Sequence, residues 1–176
     1  SGKTTVSIGL CHALRERGVE YVEVRLMDLD PFEPVGISTQ TMRFLDVFLL
    51  YCLLSPSPPD TPQEIAAARH NQHNVAERGR EPGLMLEGDG KKVALSDWAH
   101  TILEAMGPIA ARMDAEHHCH DYVQAVEHAV QALHKPYTLP SARVLRVVTE
   151  QFGGSFVAFV RAQSQATRRD MLAQPL

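Results

Sequence analysis

Glu23 and Arg25 stand two residues apart in Y-V-E-V-R-L-M-D-L-D-P-F, residues 21–32, a stretch rich in β-branched side chains. Side chains alternate along a strand, so Tyr21, Glu23 and Arg25 share one face and Val22, Val24 and Leu26 the other. The apolar face suits packing on a core. The opposite face offers an acid and a permanent cation side by side, which suits a magnesium–polyphosphate site. The carboxylate is a hard oxygen donor for the cation, and the guanidinium can meet a phosphoryl group that gains charge in transfer. A surface strand whose Glu and Arg pair with neighbours has the same pattern.

A second phosphate-binding pattern opens the chain. Residues 1–10, S-G-K-T-T-V-S-I-G-L, match the second half of the loop G-x-x-x-x-G-K-T, with Lys3 on phosphates and the Thr4 hydroxyl on magnesium. This opening resembles P-loop amidotransferases and synthases. The first glycine of the motif and a preceding strand are not in the sequence, and no second acidic motif follows in βαβ rhythm.

Other reactive groups point less clearly to chemistry. His117, His118, Cys119 and His120 are consecutive, flanked by Glu116 and Asp121. Adjacent residues between two helices cannot all converge on one ion, so a solvated loop is expected, one that could take up nickel or zinc adventitiously. His70 and His73 are spaced for one helix face and read as surface or interface groups. Cys52 sits in an apolar helical run and reads as inert. Asp28 and Asp30 fall opposite Glu23 in strand parity, so backbone capping at the Pro31 turn is their expected role. Arg43, Arg78 and Arg80 could reach a phosphate. Arg43 is also spaced to pair with Asp46 on a helix surface, and Arg80, in G-R-E-P-G, suits fixing that turn against the rest of a larger protein.

These groups need elements to position them. Residues 4–17 read as a helix stopped by Gly18, and residues 21–27 as the strand. Ser38 or Thr39 caps a long helix to about Ser55, which S-P-S-P-P-D at 55–60 cannot continue. Thr61, Pro62 and Glu64 form a capping-box start for a helix to about Arg78. A turn at 79–83 leads to a glycine-containing loop over 84–93, with 92–95 as a possible second strand. Ser96 and Asp97 cap a helix to about Ala115. Helices over 120–134, 140–152 and 155–172 follow, the last two parted by Gly153-Gly154. The sum is about seven helices and one clear strand. A lone strand leaves its backbone groups unpaired, so its sheet partners are expected from chain that is not in this sequence.

The 176 residues suit one domain, 44% hydrophobic and 22% charged. A net charge of −4 argues against a nucleic-acid binder. The 3 scattered cysteines suggest no disulfide framework, so a reducing cytoplasm is the expected location. The most apolar run, 44–54, is about half the ~20 residues of a spanning helix and contains Asp46, so no membrane segment is expected.

Four pieces in order resemble the C-terminal part of the proteobacterial glutamate–cysteine ligases. They are G-V-E-Y-V-E-V-R-L-M-D-L-D-P-F-E-P-V-G-I at 18–37, M-R-F-L-D-V-F at 42–48, E-R-G-R-E-P-G-L at 77–84 and L-P-S-A-R-V-L at 139–145. The resemblance covers about residues 13–176, with 1–12 as an atypical segment that suggests a join near A-L-R-E-R-G at 13–18. It implies an α+β fold, mostly α here: one active-site strand of a glutamine-synthetase-like antiparallel sheet, backed by about seven helices. It implies ATP-dependent joining of the glutamate side-chain carboxylate to cysteine through an acyl phosphate, the first step of glutathione biosynthesis. ATP and Mg2+ would be the cofactors. Glu23 matches the family's magnesium-ligating glutamate, and Arg25 its arginine on the transferring phosphoryl group. The family's other carboxylates and substrate pockets lie N-terminal to this segment, so the missing ligase half would be an obligatory partner and the chain alone would be inactive. Two alternatives remain: a P-loop NTPase or synthase fusion using Lys3 and Thr4, and a non-catalytic helical fragment.

Overall fold

The computed structural model describes Gly18, Val24, residues 27–56 and residues 61–173. Six α-helices and one two-stranded antiparallel sheet are found among these residues. The chain divides into two compact units. One comprises Ser1–Asp46 with Lys135–Leu176, and the other Val47–His134. The helix expected over 4–17 lies outside the described residues. Of the strand expected over 21–27, only Val24 and Met27 are described, and neither is in regular secondary structure.

Helix α1, Thr39–Leu54, starts where the Ser38 hydroxyl accepts the Thr41 N–H at 3.0 Å. Ser38, rather than Thr39, is therefore the capping residue. Helix α2, Pro62–Arg78, has the full capping box: Thr61 Oγ1 accepts the Glu64 N–H at 3.2 Å, and Glu64 Oε2 accepts the Thr61 N–H at 2.7 Å. At its far end the Arg78 guanidinium forks onto the Glu81 carboxylate at 2.7 and 2.8 Å. Arg78 thus ties the turn from within.

The segment 84–93 is not a loop. Strand β1, Met85–Gly88, pairs with β2, Lys91–Ala94, in the register Met85↔Ala94 to Gly88↔Lys91. The connection is the two-residue turn Asp89-Gly90, with φ of +51° and +71°. A tight hairpin turn of this hand needs positive φ at both central residues, which Asp-Gly supplies at little cost. Three glycines concealed a hairpin whose turn signal was Asp-Gly itself. The second strand begins one residue earlier than the expected 92–95.

Helix α3, Leu95–His117, follows β2 directly. Its start is not fixed by Ser96 or Asp97. The cap position is Ala94, without a side-chain bond, and the Leu95 N–H goes to the Leu84 carbonyl at 2.9 Å. The hairpin itself sets the entry, while Asp97 adds a favourable charge to the first turn. Pro108 lies inside this helix and has no N–H to give to the preceding turn. The helix persists because Leu103, Met106, Ala110 and Met113 form one buried stripe along it. Helix α4, Asp121–His134, buries Tyr122, Ala125 and Val126, and packs on α3. Leu84 and Leu86 bring the hairpin's buried side chains to the same unit.

In the other unit a short 3-10 turn, Pro136–Thr138, leads into α5, Pro140–Phe152, and α6, Phe156–Ala173. Phe159 is its deepest aromatic residue, at 2% exposure. Its ring lies 5.8 Å from that of Phe152 and 6.0 Å from that of Phe156, within the range of favourable aromatic pairs.

Candidate functional site

Glu23, Arg25, Lys3 and Thr4 all lie outside the described residues, as does Cys11. What the structure does describe is the segment that continues from Glu23 and Arg25. Val24 is 41% exposed and Met27 40%. Val22 and Leu26, expected on the same face as Val24, lie outside the described residues.

Downstream the backbone is firmly held. The Asp30 carboxylate accepts the Phe32 N–H at 2.9 Å, the backbone-capping role expected of it. The Asp30 N–H reaches the Gly36 carbonyl at 2.8 Å, and the Glu33 and Gly36 N–H groups complete nested turns at 3.1 Å each. Phe32 is the anchor. The Arg143 guanidinium stands 3.7 Å from its ring centroid, and the Phe159 ring lies 5.9 Å away. A cation over an aromatic face and a buried aromatic neighbour fix this ring. Helices α5 and α6 therefore grip the chain seven residues beyond Arg25. Nothing local in the sequence announces a pairing between residues 32 and 143.

Asp114 is a buried carboxylate, at 6% exposure. It accepts the N–H of Tyr122 and of Val123 at 3.0 Å each, and the Cys119 thiol at 3.2 Å. Those amides open α4, so an acid at the end of one helix caps the next. Burial pushes the Asp114 carboxyl up, but the Val123 and Tyr122 amides, the Cys119 thiol and nearby His120 outweigh it. The carboxyl stays below its usual range. The signal was present in the sequence: Asp114 lies four residues past Ala110 on the buried stripe of α3, where an unpartnered acid would be costly.

The His-His-Cys-His tract lies at the same corner. His117 ends α3, with its ring 5.7 Å from Tyr122, and His118 takes the left-handed conformation at φ +53°. No group of three or more His, Cys, Asp or Glu among the described residues is placed to hold a metal ion. A backbone hydrogen bond at Asp121 draws the Cys119 thiol down, but burial and the Asp114 carboxylate raise it above its usual range. Cys119 is a hydrogen-bond donor here and a poor nucleophile.

His70 and His73 are both on the exposed side of α2, and His73 meets Glu77 at 3.3 Å. Cys52 is exposed rather than buried in its apolar helix, though desolvation of its thiol keeps it protonated. Arg43 and Asp46 are both half-buried on α1. Asn71, unremarked in the sequence, is buried in α2 and pairs with β1: its Nδ2 donates to the Glu87 carbonyl at 2.6 Å, and its Oδ1 accepts the Glu87 N–H at 2.9 Å. None of the described helices is long and apolar enough to cross a membrane.

Comparison with known proteins gives this arrangement a context. The family model for glutamate–cysteine ligase matches residues 4–75. A glutamate–cysteine ligase of Azotobacter vinelandii is 44% identical over 165 residues, 93% of this chain and 31% of that protein. One from Alcanivorax borkumensis is 40% identical over 161 residues, 92% of this chain and 30% of that protein. A crystal structure of the Francisella tularensis glutamate–cysteine ligase in complex with AMP superposes with a TM-score of 0.80 at 32% identity, covering 92% of this chain and 31% of that one. The chain spans about a third of the length of the relatives it matches.

Proposed function

We propose, from the premise that this chain belongs to the glutamate–cysteine ligase family, that it forms one wall of an ATP-dependent ligase site joining the glutamate side-chain carboxylate to the amine of cysteine. The observation that carries the reading is similarity at 40% identity or above along more than nine-tenths of the chain to proteins of that name. The neighbour solved with AMP is consistent with adenine nucleotide use. In this reading the segment holding Glu23 and Arg25 joins an antiparallel sheet of the glutamine-synthetase type, completed by ligase sequence outside this chain.

The chemistry assigned to these residues is narrow. Phosphoryl transfer needs positioning and charge neutralisation more than covalent help from the protein. Arg25 would place a fork of N–H donors on the phosphoryl oxygens, where lysine offers only a point charge. Glu23 would hold magnesium, which supplies charge neutralisation on the nucleotide phosphates when bound. One carboxylate suits a cation that usually takes one or two from protein and the rest from phosphate and water. The glutamate carboxylate, once phosphorylated, loses phosphate as the cysteine amine attacks its carbon. The ligase portion includes residues 13–176. A family match that starts at residue 4 favours drawing Thr4 into the same portion rather than into a phosphate loop with Lys3.

The test places this chain in the corresponding third of the Azotobacter vinelandii relative and follows ADP release. Release that needs both glutamate and cysteine is expected. Arg25→Lys should lower turnover by about 100-fold, with a smaller change in KM. Normal turnover in that variant would remove Arg25 from the reaction. Glutamate-independent hydrolysis abolished by Lys3→Ala would instead support a phosphate loop.

A further inference from the structure

A concavity of about 620 Å³ opens between the 29–36 turn and helix α6, within a single unit of the fold. Its lining is mainly apolar and well exposed: Leu29 at 79%, Val160 at 43%, Met171 at 48% and Leu172 at 75%. Asp30 and Glu33 add two carboxylates to the lining and Arg168 one guanidinium. Grouped apolar side chains around one concavity mark a surface that another polypeptide covers, whereas isolated ones need no explanation.

We propose that this groove is the docking surface for the two-thirds of the ligase polypeptide that this chain does not span, and the inference rests on the ligase reading above. Two observations select that occupant. The fold of this chain recurs, at a TM-score of 0.80, inside a ligase chain of which it covers only 31%, so the same fold exists joined to a far larger body of protein. Further, one wall of the groove is the turn pinned through Phe32, the direct continuation of the segment carrying Glu23 and Arg25. On the ligase reading, the polypeptide that completes the site meets the segment that leads directly into this turn. An apolar seat next to that turn fixes its distance, and the charged side chains of the lining set its register.

The experiment co-expresses this full chain with the remainder of the Azotobacter vinelandii relative and measures co-purification and the affinity of the purified pair. Binding is expected. Leu29→Asp and Met171→Asp, on the two walls of the groove, should each weaken it by roughly tenfold or more, because each puts an unpaired charge into an apolar contact. Leu145→Asp, on exposed α5 away from the groove, should leave it unchanged, and circular dichroism of all three checks the fold. The proposal is overturned if the wild-type pair does not associate, if the groove variants bind like wild type, or if the groove instead joins two copies of this chain in a dimer that the same variants dissolve. ADP release is read separately. A pair that binds through the groove without glutamate- and cysteine-dependent turnover defeats the ligase reading and leaves the surface standing as a docking face.

Discussion

Asp114 shows how much structure one carboxylate can hold. It ends one helix, opens the next and receives a thiol, so its loss should be felt across the α3–α4 corner. An asparagine there keeps one acceptor oxygen but faces an amide with its own N–H groups. Asp114→Asn should cost about 2–3 kcal/mol of unfolding free energy, read from urea titration at neutral pH. The pH dependence has a definite sign. The carboxyl titrates lower in the folded chain than in the unfolded one, so its contribution is complete above the ordinary carboxylate range near pH 4 and is lost as pH falls through the lower, folded value. The Asn variant should lack that part of the acid-side slope. The Asp114 role was readable in principle, as an acid on a buried helical stripe. The clasp of Phe32 by Arg143 and Phe159 was not, since nothing in a sequence without partners tells which distant arginine will meet which ring.

Among the elements, the helices were the most legible. Helix α5 follows its expected bounds of 140–152, and α2 opens on the expected Thr61, Pro62 and Glu64, because caps and prolines act within one turn of the chain. The hairpin was missed for the converse reason. Its strands are only four residues each, too short for alternation to stand out, and its glycines suggest a loop when taken singly. What makes it a hairpin is Asp89-Gly90 as a two-residue turn between the two short strands. Gly90→Ala tests this directly. At φ +71° a side chain is strained, and the variant should lose about 1 kcal/mol in thermal or urea unfolding. An unchanged midpoint would mean that the turn relaxes into another form. The strand carrying Glu23 and Arg25 was the boldest expectation, and it lies outside the described residues.

At the scale of the whole molecule, the division into two units means that the candidate ligase segment and the Asp114 corner belong to different bodies. The first carries the residues assigned to chemistry, and the second is held together by its own hairpin and helix pair. On the ligase reading, this chain alone should release no ADP in the presence of ATP, magnesium, glutamate and cysteine, and activity should appear only with the rest of the site; turnover by the isolated chain would show that a complete site is already here. The amide of Asn71 carries a further consequence for how these molecules behave in a crowd. By clasping both backbone groups of Glu87, it occupies the outer edge of a two-stranded ribbon that would otherwise be a ready template for a strand from a neighbouring chain. Asn71→Ala should therefore do more than loosen α2: on concentration, it should turn a well-behaved solution cloudy, with light scattering that rises while wild type at the same concentration stays clear.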